Sequence, residues 1–428
     1  MKTLALIIGL LGMCAVAWGD DQERRAAKAK DRTPDKERYG FFIADNRSWT
    51  RIPFQLHSNL IIVPVSVNGS DTLRFILDTG VSNTIITDPG AFRKKPLTLT
   101  RKVKISGAGE GGSLTASIAI DNVLMMGGLR AAHHNLVILD EDILRLSEYV
   151  GTPVHGIFGY EIFANFVVNV DFQRREITLM KPEKYSYKKR KGDRYPITIQ
   201  DTKAYTDALS VFDGEKNLPL RVVLDTGAGH ALLLDRSRST ASMPMPVKSI
   251  RAQLGRGLNG VINGVMGRIQ KVRFGRYELD NILASFPDSL GFGMKLVDMP
   301  ERQGNVGCEL LRRFNVTFNY PDRYIVMKPI KRLLKESFEH DMSGMELRAK
   351  GERFRNYYVD KVVAGSPADL AGLVEGDEVL FVNNSSANEL TVSDIYKILQ
   401  KGEGKEVSIL VRRNGQIIVT SFVLKRLI

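Results

Sequence analysis

The sequence predicts a mainly β protein in which two pseudo-symmetric lobes form a cleft, followed by a small α/β domain. The first observation is period-two alternation of apolar residues, as in Val63/Val65/Val67 and Val168/Val170/Phe172, which is typical of strands with one buried face. The second is an internal repeat across the first three quarters of the chain. The third is a change of pattern from Ser343, where short strands alternate with helical segments.

The repeat is anchored by two Asp-Thr-Gly triplets. Residues 61–80 contain a strand, a turn at Asn68-Gly69 and a strand that ends in Asp78-Thr79-Gly80. Residues 207–227 have the same order and end in Asp225-Thr226-Gly227. Further landmarks recur in order, and they comprise a glycine-rich stretch (106–113 and 255–267), a Gly-x-x-Gly segment (156–159 and 304–307) and Met-Lys-Pro (180–182 and 327–329). We interpret the two copies as a duplication.

Two such loops point to a specific chemistry. An aspartate between an apolar strand and a tight Thr-Gly turn is held in a defined place, because glycine accepts backbone angles that other residues avoid. Pseudo-two-fold symmetry would bring Asp78 and Asp225 face to face, and two adjacent carboxylates share one proton. The ionised one can then activate a water molecule while the protonated one polarises a carbonyl. Thr79 and Thr226 would bond across the axis, and this chemistry requires neither a metal nor a cofactor.

The pattern FILDTG…GIFG, repeated as VVLDTG…GNVG, resembles the pepsin/retropepsin superfamily of aspartic peptidases over about residues 50–330. The resemblance implies that Asp78 and Asp225 are catalytic, and that Thr79, Gly80, Thr226 and Gly227 support the active-site loops. Val81 and Ala228 follow the triplets, and the flap tyrosine of pepsins is missing, so the chain looks like a retropepsin-like dimer fused into one polypeptide. Asn305 stands where an apolar residue is usual, which weakens the expected bracing of the second loop.

The last module resembles a PDZ domain of the type fused to bacterial exported proteases. The resemblance rests on the run from Gly365 to Asn383, which reads GSPADLAGLVEGDEVLFVN, and on a predicted amphipathic helix over 391–400. It implies that Gly344, Met345, Glu346 and Leu347 form a loop that captures a peptide C-terminus, with the peptide added as a strand. A PDZ fold that only packs against the lobes is the alternative.

Charge and length give the remaining organisation. The net charge is +13, but the dense basic run Lys181–Arg194 is interpreted as a solvated connection and not as a nucleic-acid site. The predicted segments are a signal peptide (1–19), a charged segment (20–48), lobe one (49–182), a basic linker (183–196), lobe two (197–332) and the PDZ domain (340–428).

The sequence pattern at the N-terminus indicates export. Lys2 precedes an apolar run from Leu4 to Trp18, which is too short to span a bilayer comfortably but suits a signal peptide. Cys14 lies in a weak lipoprotein-like box, so a lipid anchor there is the alternative to a soluble form and the one predicted membrane attachment. Cys308 is then the remaining cysteine, and we expect it to be a small buried apolar residue. We expect location in the bacterial periplasm or cell envelope.

These features together predict an exported aspartic endopeptidase that acts on polypeptides, with PDZ-mediated recognition of substrate or partner. A catalytically silent peptide-binding adaptor that uses the same cleft and groove is the alternative. Two adjacent carboxylates argue against it, because a simple clamp gains nothing from their mutual repulsion. A larger assembly with more than one active site is a third possibility.

Overall fold

The computed structural model describes residues 39–105, 107, 109, 112–235, 243, 245–288 and 302–428. The predicted signal peptide, Cys14, most of the charged segment 20–48 and part of the glycine-rich stretch 106–113 lie outside the described residues. Strands dominate the regular structure, as predicted, and the described residues include no helix of the length and apolarity that a membrane crossing requires.

The first lobe is built on one mixed sheet of nine strands. Its elements are β1 (Gly40–Ile43), β2 (Trp49–Pro53), β3 (Gln55–His57), β4 (Leu60–Val67), β5 (Leu73–Leu77), β6 (Ile85–Ile86), β7 (Leu99–Ile105), β8 (Leu114–Met126), β9 (Leu129–Leu139), α1 (Leu146–Val150), β10 (Gly156–Phe158), α2 (Tyr160–Asn165), β11 (Val167–Asp171) and β12 (Glu176–Met180). The sheet order is β1-β9-β6-β10-β5-β4-β8-β7, with β3 paired to β4. The predicted turn at Asn68-Gly69 joins β4 to β5, and both of its residues have positive φ.

Helix α1 is short, and it begins only after Arg145. Arg145 has φ 48°, a left-handed conformation that a right-handed helix cannot continue through. The Arg145 N–H donates to Asp142 Oδ1 at 3.0 Å, so the preceding residues form a turn.

The second lobe repeats this arrangement. Its elements are β13 (Asp193–Pro196), β14 (Thr198–Gln200), β15 (Lys203–Asp213), β16 (Lys216–Leu224), β17 (Leu232–Leu234), β18 (Ser249–Gly257), β19 (Gly260–Phe274), β20 (Tyr277–Pro287), β21 (Gly304–Val306), α3 (Cys308–Leu311), β22 (Phe314–Asn319), β23 (Tyr324–Pro329) and α4 (Lys331–Leu334). Strand β5 runs parallel to β10, and β16 runs parallel to β21. Five further strand pairs of the first lobe have a counterpart of the same direction in the second lobe. The parallel pair β6–β9 corresponds to β17–β20. The antiparallel pairs β10–β6, β9–β8, β8–β7 and β8–β4 correspond, in that order, to β21–β17, β20–β19, β19–β18 and β19–β15.

A third sheet joins the lobes, in the order β13-β23-β22-β11-β12-β2. Its centre is the antiparallel pair β11 and β22, with Val170 opposite Val316 and the Asn169 amide donating to Thr317 Oγ1 at 2.8 Å. The predicted linker 183–196 contributes β13 to the edge of this sheet. One continuous apolar core extends through both lobes, so they pack as one body.

The C-terminal module has its own sheet and its own core. It comprises β24 (Met345–Lys350), β25 (Asn356–Val362), α5 (Pro367–Leu370), β26 (Glu378–Val382), β27 (Ser385–Ser386), α6 (Val392–Leu399), β28 (Glu406–Arg413) and β29 (Gln416–Val423), with the order β24-β25-β26-β28-β29. Helix α6 begins with a capping box between Thr391 and Asp394. Val392, Ile395 and Leu399 are buried, which confirms the predicted apolar face.

Candidate active site

Both Asp-Thr-Gly loops emerge from buried strands at equivalent places in the two lobes. Asp78 follows β5 and Asp225 follows β16. The Asp78 N–H donates to Phe158 O at 2.8 Å, and the Asp225 N–H donates to Val306 O at 2.9 Å. The Gly-x-x-Gly segments singled out in the sequence therefore brace the loops through the parallel strands β10 and β21. Asn305 does not disturb this bracing, because its backbone keeps the register of β21 against β16.

Two threonines lock the loops together. Thr79 Oγ1 accepts the Thr226 N–H at 2.9 Å and donates to Leu224 O at 2.7 Å. Thr226 Oγ1 accepts the Thr79 N–H at 3.0 Å and donates to Leu77 O at 2.8 Å. Both side chains are fully buried, so each lobe supplies partners that the other needs.

This lock places the two carboxylates against each other. Gly80 and Gly227 N–H groups donate to the Oδ1 atoms of Asp78 and Asp225 at 2.6 and 3.0 Å. A Cβ atom on Gly227 would lie 2.1–2.5 Å from the Asp78 carboxyl atoms, and one on Gly80 would lie 3.0 Å from Asp78 Oδ1 and 3.5 Å from Asp225 Oδ1. Only glycine therefore leaves room for the pair. Burial, and after it the Asp225 charge, raises the pKa of Asp78 to about 7.

Each lobe also holds the loop of the other from outside. The Asn59 amide in the β3–β4 turn donates to Gly229 O at 3.0 Å. In the corresponding β14–β15 turn, the Thr202 hydroxyl lies 2.6 Å from the Ser82 hydroxyl. Sequence reasoning missed these contacts, because Asn59 precedes Gly229 by 170 positions whereas Thr202 follows Ser82 by 120 positions, and no local pattern links such distant residues.

Polar and titratable groups surround Asp225 more densely than the sequence suggested. The Asn305 amide donates to Asp225 Oδ2 at 2.7 Å. His230 lies near Asp225, and burial lowers its pKa to about 4, so it is neutral at ordinary pH. Burial also lowers the pKa of Lys203, whose charge acts on both aspartates. Cys308 is buried as expected, it forms no disulfide among the described residues, and its thiol lies 3.4 Å from Thr226 O.

The long hairpins of the two lobes meet at their tips. The Gly107 N–H, beyond β7, donates at 3.0 Å to Oδ1 of Asn259, which lies between β18 and β19. A Cβ atom on Gly109 would lie 2.6 Å from the Asn259 carbonyl carbon and from Gly260 O. The predicted glycine-rich stretches therefore allow close backbone contact between the hairpins. No described group of three or more His, Cys, Asp or Glu side chains is arranged to hold a metal ion.

The four residues predicted to bind peptide in the C-terminal module lie together at the start of β24. The N–H groups of Gly344 and Met345 donate to Asp341 Oδ2 at 2.6 and 3.1 Å, and the Leu347 N–H donates to Tyr396 Oη at 2.8 Å. Glu346 is half-buried, and the Met345 side chain is in the core of the module.

Comparisons with known proteins identify two domains. Residues 63–162 match the family described as "Aspartyl protease", and residues 358–413 match the family described as "PDZ domain". The chain therefore contains an aspartyl protease domain and a PDZ domain. The first match includes Asp78, whereas Asp225 lies beyond it.

Similar individual proteins cover small parts of the chain. Tight junction protein ZO-3 is 31% identical over 99 residues in Canis lupus familiaris and 30% identical over 99 residues in Homo sapiens, which is 23% of this chain and 10% of each relative. The chain thus spans about a tenth of the length of these curated relatives. A solved structure of a photosystem II D1 C-terminal processing protease has 20% identity and a TM-score of 0.19, and the match covers 20% of this chain and 23% of that one.

Proposed function

We propose that this chain is an aspartic endopeptidase in which Asp78 and Asp225 hydrolyse peptide bonds by activating one water molecule. The observation that carries the proposal is the reciprocal bonding of Thr79 and Thr226, which holds the two carboxylates in one small space. The raised pKa of Asp78, at about 7, supports it, because a working pair needs one proton between two carboxylates.

The reaction needs only proton movements and bond exchange at one carbon. The ionised carboxylate takes a proton from water as the water oxygen attacks the peptide carbon, and the protonated carboxyl gives its proton to the carbonyl oxygen. The carboxyl that took the water proton then gives it to the peptide nitrogen as the C–N bond breaks. One hydroxyl of the tetrahedral diol returns its proton to the other carboxylate, and an acid and an amine are released. The original distribution of one proton over two carboxylates returns at the end.

The substrate we propose is an extended polypeptide. The Gly107–Asn259 bond joins the hairpin tips of the two lobes. We propose that these tips lie over a bound chain, which would enter when they separate and be enclosed when they close. Enclosure removes water and strengthens the electrostatic interactions of the two carboxylates.

We also propose that the protein acts after export, in the bacterial periplasm or envelope, as the pattern of Lys2 and the following apolar run suggests. The PDZ domain would then serve recognition of a substrate or partner protein in that compartment.

Digestion of unfolded polypeptides and a peptide library by the whole purified chain tests the activity. We expect internal cleavages, mapped by mass spectrometry, that resist chelators and serine or cysteine reagents. A peptide analogue in which a hydroxyl-bearing carbon replaces the scissile peptide bond should block these cleavages, because it cannot be hydrolysed and imitates the tetrahedral intermediate. Absence of cleavage between about pH 3 and about pH 8, with intact fold, would favour the peptide-binding adaptor.

A further inference from the structure

The two catalytic loops differ at one position of their bracing strands. In β10, Ile157 pairs with Ile76 of β5, and in β21, Asn305 pairs with Val223 of β16. Ile157 has no hydrogen-bonding side-chain atom, whereas the Asn305 amide reaches Asp225 Oδ2 at 2.7 Å. The pseudo-symmetric site therefore receives one extra donor, on the side of the second carboxylate.

Arg302 determines which way the Asn305 amide faces. Its Nε donates to Asn305 Oδ1 at 3.1 Å, and its Nη2 contacts the same oxygen. A guanidinium can only donate, so the oxygen of Asn305 must face Arg302 and the NH₂ group must face Asp225. Arg302 and Asn305 are 7% and 4% exposed, so water competes little for these bonds.

The charged and titratable neighbours favour a negative charge on Asp225. The positive charges of Arg302 and Lys203 act on Asp225, and the Lys203 charge also reaches Asp78. Burial keeps His230 neutral by lowering its pKa, and it keeps Cys308 and Tyr320 protonated by raising theirs. Asp201 balances part of the charge of Lys203, and Asp235 balances part of the charge of Arg302.

We infer that Asn305, oriented by Arg302, is a positioning residue that keeps Asp225 ionised, so that Asp225 takes the proton of water and Asp78 protonates the carbonyl. An amide donor stabilises a carboxylate more strongly than its protonated form, because the hydrogen bond to the charged oxygen is the stronger one. This assignment rests on the proposed function.

The test is the pH profile of Asn305→Ile, which copies the residue of the first lobe. We expect kcat to fall about 10- to 100-fold with KM little changed, and the acidic limb of kcat/KM to move to higher pH, because ionised Asp225 loses a donor. Asn305→Asp should move that limb further in the same direction. Asn217→Ile, at an exposed position of β16, is the matched control and should leave the profile unchanged.

A second measurement separates this inference from the proposed function. Protonation of Asp225, followed by carboxyl ¹³C chemical shifts, should move to higher pH in Asn305→Ile whether or not the protein cleaves peptides. An unchanged titration, or lower kcat with an unchanged limb, would overturn the role of Asn305. Absence of cleavage by the wild type with the expected titration shift would overturn only the proposed function.

A separate set of contacts concerns the edge of the PDZ domain. Strand β24 ends its sheet, so its outward N–H groups are the ones that an added peptide strand would use. The N–H groups of Met345 and Leu347 already donate to Asp341 and Tyr396. Asp341 also accepts the N–H groups of Ser343 and Gly344 at 3.1 and 2.6 Å, so its carboxylate occupies the backbone nest that would bind a peptide C-terminus.

The same strand contacts the first lobe. Arg348 of β24 donates to Tyr149 Oη at 2.9 Å and lies 3.5 Å from Glu148, both in α1. The Arg348 guanidinium also lies over the Tyr149 ring, 4.7 Å from its centroid. At the other wall of the groove, a Cβ atom on Gly151 would lie 2.6 Å from Val392, the first residue of α6. The segment 146–151 thus reaches both β24 and α6.

We propose that the PDZ domain keeps its groove closed with its own side chains and uses β24 and α6 to dock on segment 146–151 of the same chain. Free peptide C-termini then find neither an empty nest nor free N–H groups at Met345 and Leu347. The recognition proposed above would therefore use another surface of the PDZ domain. The PDZ domain would hold the first lobe, next to the strand β10 that braces Asp78.

Hydrogen exchange and peptide binding on the whole chain test this proposal. Arg348→Ala should increase amide exchange in 146–151 at least about tenfold, because it removes the bonds to Tyr149 and Glu148. The control is Arg412→Ala, which removes an exposed ion pair with Glu378 in the same sheet. It should leave amide exchange in 146–151 unchanged. Unchanged exchange in Arg348→Ala would overturn the docking. Saturable micromolar binding of a C-terminal peptide library to the wild type would overturn the closed groove.

Discussion

Asp78→Asn and Asp225→Asn should each reduce peptide cleavage by about a thousand-fold or more while the protein stays folded. Each variant keeps the size of the side chain but removes one carboxylate, so the pair can no longer hold a proton and a negative charge together. The two losses should not add in the double variant, because both residues act in one step. Initial rates on one peptide substrate measure the effect.

The matched control is Asp71→Asn, an exposed aspartate just before β5, which should cleave at the wild-type rate. Wild-type cleavage by either Asp78→Asn or Asp225→Asn would contradict the assignment of the catalytic pair. Similar loss in the control would point to a general effect on folding.

Asp78→Asn should also change how stability depends on pH. Burial, and after it the Asp225 charge, raises the folded-state pKa of Asp78 from its ordinary value of 3.8 to about 7, so the unfolded chain loses this proton first as pH rises. The contribution of protonated Asp78 to the free energy of unfolding is therefore fully present below about pH 4 and lost as pH rises through about 7. Asparagine does not titrate, so the melting temperature of the variant should fall less between those pH values. An identical fall in both proteins would contradict the raised pKa.

The sequence predicted the features that depend on local pattern or on the repeat. Alternating apolar residues predicted the lobes, and the repeated triplets singled out Thr79 and Thr226 as well as the aspartates. Their reciprocal bonds follow from symmetry, because each threonine N–H donates to the hydroxyl oxygen of the equivalent threonine in the other loop. The apolar face of α6 was predictable for a similar reason, since helical spacing alone places Val392, Ile395 and Leu399 together.

What the sequence did not predict depends on pairings between distant segments. Asn305 stood out as an unusual residue, but its contact with Asp225 requires the parallel pairing of β16 with β21, which no local pattern encodes. Arg302 showed no signal, because an arginine before a short strand is usually solvated. The contact of Arg348 with Tyr149 joins two separately predicted domains and follows from neither pattern. Symmetry thus predicts what the lobes share and not where they differ.

Thr79→Val and Thr226→Val should each lower the free energy of unfolding by about 2 to 4 kcal/mol. Valine fills the same volume without a hydroxyl, so Thr79→Val leaves the buried Thr226 N–H and Leu224 O without their partner. Thr226→Val has the equivalent effect on the Thr79 N–H and Leu77 O. Urea denaturation of the whole chain, followed by tryptophan fluorescence and circular dichroism, measures the change.

Serine at the same positions separates the hydroxyl from the methyl group. Thr79→Ser keeps both hydrogen bonds and should lose about 1 kcal/mol, the contribution of one buried methyl group. Thr115→Val, at an exposed position of β8, should change stability little. The double valine variant should lose less than the sum of the single changes, because the four bonds form one network between the lobes. Valine variants as stable as the serine variants would mean that apolar packing alone joins the lobes, and the carboxylates would then lack the lock that keeps them close enough to share a proton.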